Sequence, residues 1–332
     1  MSEWLAGSYG LDMSGLGDGI VALRSRIDGV LEVVGVVDAT PSPSALLAHG
    51  DHVYAVIEGP GEGFVQSWRR TGTALELDGR ASSGGSMPCN LAIFEGRLVA
   101  TNYGDGLLGI IGLDAAGAVT TLLQAIPGPT GVPGPHPNQT NARQHAAFVT
   151  DDNVLVSLDL GSDELQIHRI EGDEVVRHDA FALPKGTGPR DIARHPSGLI
   201  VVLGELDATM HLLEWQGGFT HLASVQLPRA EREHAAALAF SADGRFAYTA
   251  LRRSDRVAVV RIDVDAASLS FVDAAPGGGS WGRHLATDGD LLHVANQLSN
   301  EVTSFRIGSD GIPVQIAPGT PIGSPTYLLP VS

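Results

Sequence analysis

Six residues recur at one position of a repeating strand pattern: Glu58, Tyr103, Leu160, Glu205, Arg252 and Gln297 each close the second strand of a copy. Leu160 is what a packed core would place there. A carboxylate, a guanidinium, an amide and a phenol are what a lined cavity would place there. Glu205 and Arg252 stand in adjacent copies, so a carboxylate able to orient and deprotonate water would sit beside a planar donor fork suited to an anion or a developing oxyanion. Charges at strand ends can also be solvated or paired for structure alone, so the chemistry depends on the elements that bring the column together.

Those elements are short strands. Copies of the pattern run from Ser44 to Glu58, Leu91 to Tyr103, His145 to Leu160, Asp191 to Glu205, Ala237 to Arg252 and His284 to Gln297. The closing residues are separated by 45, 57, 45, 47 and 45 positions, close to the length of one four-stranded propeller blade. The long interval holds the run from Pro127 to Pro137, which is too rich in proline and glycine for strand pairing and reads as an inserted loop. After each closing residue comes a polar turn and a strand of period two, as in Arg256–Ile262 and Glu301–Ile307. An N-terminal strand pair, around Leu5 to Tyr9 and Gly19 to Arg24, supplies a divergent seventh copy. The expected fold is therefore all-β: one seven-bladed β-propeller of four-stranded antiparallel blades over residues 1–332, closed by strands from both chain ends because closure removes exposed sheet edges.

Composition agrees with many short strands, since 43% of the chain is hydrophobic and 42 Gly and 19 Pro supply the turns. A net charge of −17 disfavours phosphate backbones and anionic membranes, so no nucleic-acid or membrane partner is expected. A few arginines in a narrow cleft can still attract a small anion, because distant surface charge is screened. Cys89 is the single cysteine, which removes intramolecular disulfides and cysteine-based metal sites. Residues 1–7 lack a basic stretch followed by an apolar one, and no apolar run is long enough for a membrane helix; a cytoplasmic location is the expectation. Ring closure needs no partner, so a monomer is expected.

Several segments together resemble the lactonase-type seven-bladed propellers, a family that includes bacterial 6-phosphogluconolactonases and fungal carboxy-muconate cyclases. They are Met87–Leu91 with Thr101–Gly104, Gly188–Pro196 with Gly204–Leu206, Phe240–Tyr248, and Val294–Gln297. The resemblance implies a central site of one histidine, two arginines and one glutamate, corresponding to His145, Arg190, Glu205 and Arg252 here. Asn90 and Asp191 stand where this family commonly has histidine, and Gly204 and Leu251 where asparagine is common; these departures bear on substrate specificity.

The implied activity is opening of a lactone, most concretely 6-phosphogluconolactone, with a carboxylated muconate-type ring as an alternative substrate and a non-catalytic binding scaffold as an alternative role. Glu205 and His145 are then the candidate bases, with Glu205 preferred. Arg190 and Arg252 bind the anionic group or the oxyanion, and Arg283, Gln297 and Tyr103 complete the substrate contacts. No cofactor and no metal is expected, since the remaining histidines lack zinc-site spacing. His234 and His284 read as structural. Gly84–Ser86 and Gly277–Ser280 have no phosphate-loop context and read as turns between blades.

Overall fold

The computed structural model describes residues 2–130 and 134–331. Seven antiparallel sheets follow one another along the chain, and the innermost strand of each packs on the innermost strand of the next until the circle closes. Blades 1 to 6 begin with the inner strands Pro43–His49, Pro88–Phe94, Gln144–Val149, Pro189–Arg194, Ala235–Phe240 and Gly282–Asp288. Blade 7 takes its inner strand, Pro325–Pro330, from the C-terminus and its other three, Glu3–Ser8, Ile20–Ser25 and Leu31–Asp38, from the N-terminus. The expected closure by both chain ends is what the structure has. Blade 6 carries a short additional strand, Thr320–Pro321, beside Glu301–Ile307.

Each sheet buries its faces against its neighbours, so the middle strands read almost wholly apolar. Arg256–Asp263, for example, exposes only Arg256, Arg261 and Asp263. Trp4, Trp68, Tyr54, Tyr248 and Phe305 are fully enclosed at the blade interfaces, each removing enough apolar surface to contribute roughly 2–3 kcal/mol. Inner strands crowd together near the axis and are built from small residues, most plainly Ala235–Ala236–Ala237. The Asp243-Gly244 turn shows why glycine is required there. Gly244 has a φ of +72°, and a Cβ would lie 2.8 Å from Nε2 of His195 in the neighbouring blade.

The inserted run starts later than expected: Pro127 still closes the outer strand Val119–Pro127 of blade 2 and pairs with Leu107, and the loop follows it; Gly131, Val132 and Pro133 of that run lie outside the described residues. One expected turn is corrected. Gly84–Ser86 ends the strand Ala74–Ser86 rather than forming a turn between blades, because Glu62 pairs with Ser86 and extends the sheet through the glycines. Among the described residues no helix is long and apolar enough to cross a membrane.

Candidate active site in the central channel

Two local irregularities, repeated in every blade, aim side chains at the axis. The first is the closing position itself. Each closing residue donates its backbone N–H to a carbonyl just before the inner strand of the same blade: Glu58 to Ser42, Tyr103 to Met87, Leu160 to Arg143, Glu205 to Gly188, Arg252 to His234 and Gln297 to Trp281. Tyr9 makes the same bond to Ser324, at 3.0 Å, and is the seventh member of the column. Sequence reasoning missed Tyr9 because its partner strand lies more than 300 residues away at the other end of the chain.

The second irregularity is a β-bulge at one level of all seven inner strands, which puts extra residues on the channel side. The register breaks at Ser44, Cys89, His145, Arg190, Ala237–Leu238, Arg283 and Thr326. All of these but Leu238, with Asn90, Asp191, His284 and Tyr327, line a central cavity with about 60 Å³ open to water-sized molecules. The bulge has no clear sequence signal, since only the pairing partner reveals the extra residue.

The two tiers meet in blades 3 to 5. Arg190 Nη1 lies 2.7 Å from His145 Nε2 and 2.6 Å from Glu205 Oε2. Arg252 Nη2 lies 2.6 Å from Glu205 Oε1, and His234 Nδ1 lies 3.0 Å from the same oxygen. Arg252 also donates Nε to the His234 carbonyl at 3.2 Å. His145, Arg190, Glu205 and Arg252 are only 6–9% exposed, so these are buried ion pairs rather than rim salt bridges. His234, read from sequence as structural, is brought directly against the carboxylate. Its backbone N–H, like those of Arg253 and Ser254, is held by the buried carboxylate of Glu233.

The electrostatics follow from this packing. Burial alone would raise the Glu205 pKa, but Arg252, Arg190 and the His234 hydrogen bond outweigh it and hold the carboxyl well below its usual range. Burial and the neighbouring Arg190 push His145 well below the usual imidazole value. The site therefore holds an ionised glutamate and a neutral histidine at pH 7. Because a guanidinium can only donate, His145 Nε2 is the acceptor and its proton sits on Nδ1. Burial brings Arg252 down to about 10, so it stays charged.

A second network faces the channel from blades 6, 7 and 1. Tyr9 donates its hydroxyl to Glu58 Oε2 at 2.7 Å, Arg283 donates to the Tyr9 hydroxyl, and Arg283 Nη2 lies 3.8 Å from Glu58. The guanidinium of Arg283 lies 4.6 Å from the Tyr9 ring centroid. Of the other expected contacts, Tyr103 presents its ring edge-on to His145 at 5.8 Å. Gln297 shares the backbone bond of the column, and among the described residues its buried Oε1 has no hydrogen-bond partner. His284 lines the cavity but accepts the backbone N–H of Leu328 at 3.2 Å and stacks on Tyr327. It fastens blade 6 to blade 7. Cys89 also lines the cavity, and burial pushes its thiol up to about 12, leaving it protonated.

The chain's relatives agree with this architecture. It is 27% identical over 296 residues to a protein of Lactococcus lactis subsp. cremoris, covering 85% of this chain and 84% of that one. It is 25% identical over 270 residues to the 6-phosphogluconolactonase of Bacillus subtilis, covering 76% of each. The crystal structure of the periplasmic gluconolactonase of Pseudomonas aeruginosa superposes with a TM-score of 0.91 at 23% identity, over 100% of this chain and 99% of that one, a likeness of fold. The sequence profile of the family described as "Lactonase, 7-bladed beta-propeller" matches residues 4–329, nearly the whole ring with its two charged tiers. This chain belongs to the seven-bladed β-propeller lactonase family.

Proposed function

We propose that the protein hydrolyses a sugar lactone, with 6-phosphogluconolactone as the preferred substrate, and that Glu205 directs the attacking water. The observation that carries this reading is the single carboxylate held between two guanidiniums, Arg190 and Arg252, at 2.6 Å on either side. Water oriented by Glu205 adds to the ester carbonyl and gives up a proton to the carboxylate. The negative charge then passes to the carbonyl oxygen without leaving the field of the same two arginines, so little reorganisation accompanies the step. Collapse of the tetrahedral intermediate breaks the ring C–O bond. The leaving alkoxide takes the proton back, and the product is the open hydroxy acid.

His145 is the weaker candidate for the base, because its one free lone pair is occupied by Arg190. Its role in this scheme is to hold Arg190 in place. A lactone is a reactive ester, so the low basicity of Glu205 is adequate for orienting water and accepting a proton transiently. The family's name and the 6-phosphogluconolactonase from Bacillus subtilis support the choice of substrate.

The test is lactone disappearance above the spontaneous rate, measured on wild type, Glu205→Gln and Arg252→Ala. A loss of about 10²-fold or more in both variants is expected for a proton acceptor and an oxyanion donor. A wild-type rate equal to the spontaneous one would leave a binding scaffold as the better description.

A further inference from the structure

We propose that Arg143 and Arg253 form an anion subsite at the mouth of the channel, which takes the phosphate at the far end of a phosphorylated lactone. The proposal deepens the hydrolase reading and rests on it. It begins from charge already spoken for inside the channel. Arg190 and Arg252 share Glu205, and Arg283 is tied to Glu58 and Tyr9. Three guanidiniums thus face three carboxylates, because Asp191 also lines the cavity and is ionised at pH 7, and no net positive charge is left for a phosphate dianion. In a chain of net charge −17, such a dianion needs local cations of its own.

The mouth supplies two. Arg143 lies two residues before His145, and Arg253 directly follows Arg252. Among the described residues neither guanidinium has a carboxylate within ion-pair distance. The nearby acids hold backbone instead: Asp159 accepts the N–H of Arg143 at 3.1 Å, and Glu233 accepts the N–H of Arg253 at 2.6 Å.

Both forks are laid on aromatic rings belonging to the site. The Arg143 guanidinium carbon is 4.7 Å from the Tyr103 centroid, and the Tyr103 ring meets His145 edge-on at 5.8 Å. The Arg253 guanidinium carbon is 5.9 Å from the Trp281 centroid, and Arg252 lies over the same indole at 5.2 Å. Arg143 is further fixed by its Nε, which donates to the Asn138 carbonyl at 2.7 Å and leaves the terminal nitrogens for a ligand. Stacking restrains a guanidinium while its edge stays free to donate, the geometry that suits a tetrahedral oxyanion. Arg143 belongs to blade 3 and Arg253 to blade 5, the blades on either side of the one that carries Glu205, and they join the catalytic network through Tyr103 and His145 and through Trp281 and Arg252. A lactone whose ester lies at Glu205 would extend its other end between them.

The experiment measures kcat/KM for 6-phosphogluconolactone, for unphosphorylated gluconolactone and for a carboxylated muconolactone. It uses wild type, Arg143→Gln, Arg253→Gln and the double variant. Wild type should prefer the phosphorylated lactone. Each single change should lower that preference about tenfold, and the double change about a hundredfold, chiefly through KM. A double variant that keeps the wild-type preference, or a wild type that prefers either of the other lactones, would overturn the subsite. If no lactone is opened at all, the hydrolase reading fails separately. Calorimetric binding of 6-phosphogluconate against gluconate then decides the subsite: tighter phosphate binding that disappears in the double variant supports it, and equal binding by wild type overturns it.

Discussion

Arg190 and Glu205 stand at the two ends of one β-hairpin, the first on the bulge of the inner strand Pro189–Arg194 and the second just past Ile200–Gly204, and they meet at 2.6 Å. The strand pair that forms the blade also assembles the charge pair, so the site and the fold depend on each other.

That dependence predicts a stability cost for Glu205→Gln in addition to its effect on rate. The change leaves two buried guanidiniums without a counter-charge, and removing one partner of a buried pair costs about 3–5 kcal/mol. Urea unfolding should show a midpoint well below wild type. A midpoint within error of wild type would mean that the pairs are more solvated than the structure shows.

His145 can be separated into base and support. Glutamine at this position can still accept from Arg190, whereas alanine cannot. If support is the role, His145→Gln should stay within about tenfold of wild type and His145→Ala should lose about 10²-fold. For an unphosphorylated lactone the kcat/KM profile should also carry no limb from His145 or Glu205 between pH 6 and 8, because His145 is already neutral and Glu205 already ionised there. Any limb from the cavity wall should centre near 6, where Asp191 titrates. A limb with a midpoint near 7 in that profile would return His145 to the role of base.

Acid should destabilise the fold before Glu205 is protonated. Burial lowers His168, His211 and His293 to about 4 and His284 to about 3, and His145 falls in the same direction. Each binds its proton more tightly in the unfolded chain, so its contribution is intact above about pH 6.5 and is lost as pH falls toward the folded value. Burial acts oppositely on Asp159 and Asp191, raised to about 6, and on Asp207, and these recover part of the loss on acidification. The balance is an uptake of roughly two protons on unfolding near pH 5, or about 3 kcal/mol per pH unit. Thermal midpoints that do not fall between pH 6.5 and 5 would contradict this.

Asp191 separates the cost of a buried charge from the worth of its hydrogen bonds. Its carboxylate accepts the backbone N–H groups of Ile192 and of Leu238 in the next blade on different oxygens, and ionising it at the cavity wall is unfavourable, as its pKa of about 6 records. Asparagine removes the charge but sets its NH2 against one of the two N–H groups, a loss of about 1–3 kcal/mol at any pH. Asp191→Asn should therefore be less destabilising at pH 8 than at pH 5, where the aspartate is already protonated, by about 1–2 kcal/mol in urea unfolding. Equal effects at both pH values would point to a cause other than the charge.

Tyr9→Phe should loosen the second network. It removes the hydroxyl that joins Arg283 to Glu58, a buried hydrogen bond to charged groups contributing about 1.5–3 kcal/mol. A lower unfolding midpoint is expected, with a rise in KM as Arg283 loses its orientation. An unchanged KM would remove Arg283 from the substrate contacts.

Much of this was legible in the order of residues. Regular spacing of Glu58, Tyr103, Leu160, Glu205, Arg252 and Gln297 determined the blades, because one strand-turn-strand unit can bury its faces only against copies of itself. The lactonase-type segments marked His145, Arg190, Glu205 and Arg252 for one site. Tertiary structure decided what those residues do to one another. Bulges that exist only relative to a partner strand turned His145, Arg190 and Arg283 to the axis, and closure of the ring brought Tyr9 from the first blade strand to Glu58 and Arg283. His234 reached Glu205 for the same reason: its neighbour in space is 29 positions back along the chain. Local pattern encodes which strands form, but a buried charge takes its protonation state and its partners from groups that only the closed ring sets beside it.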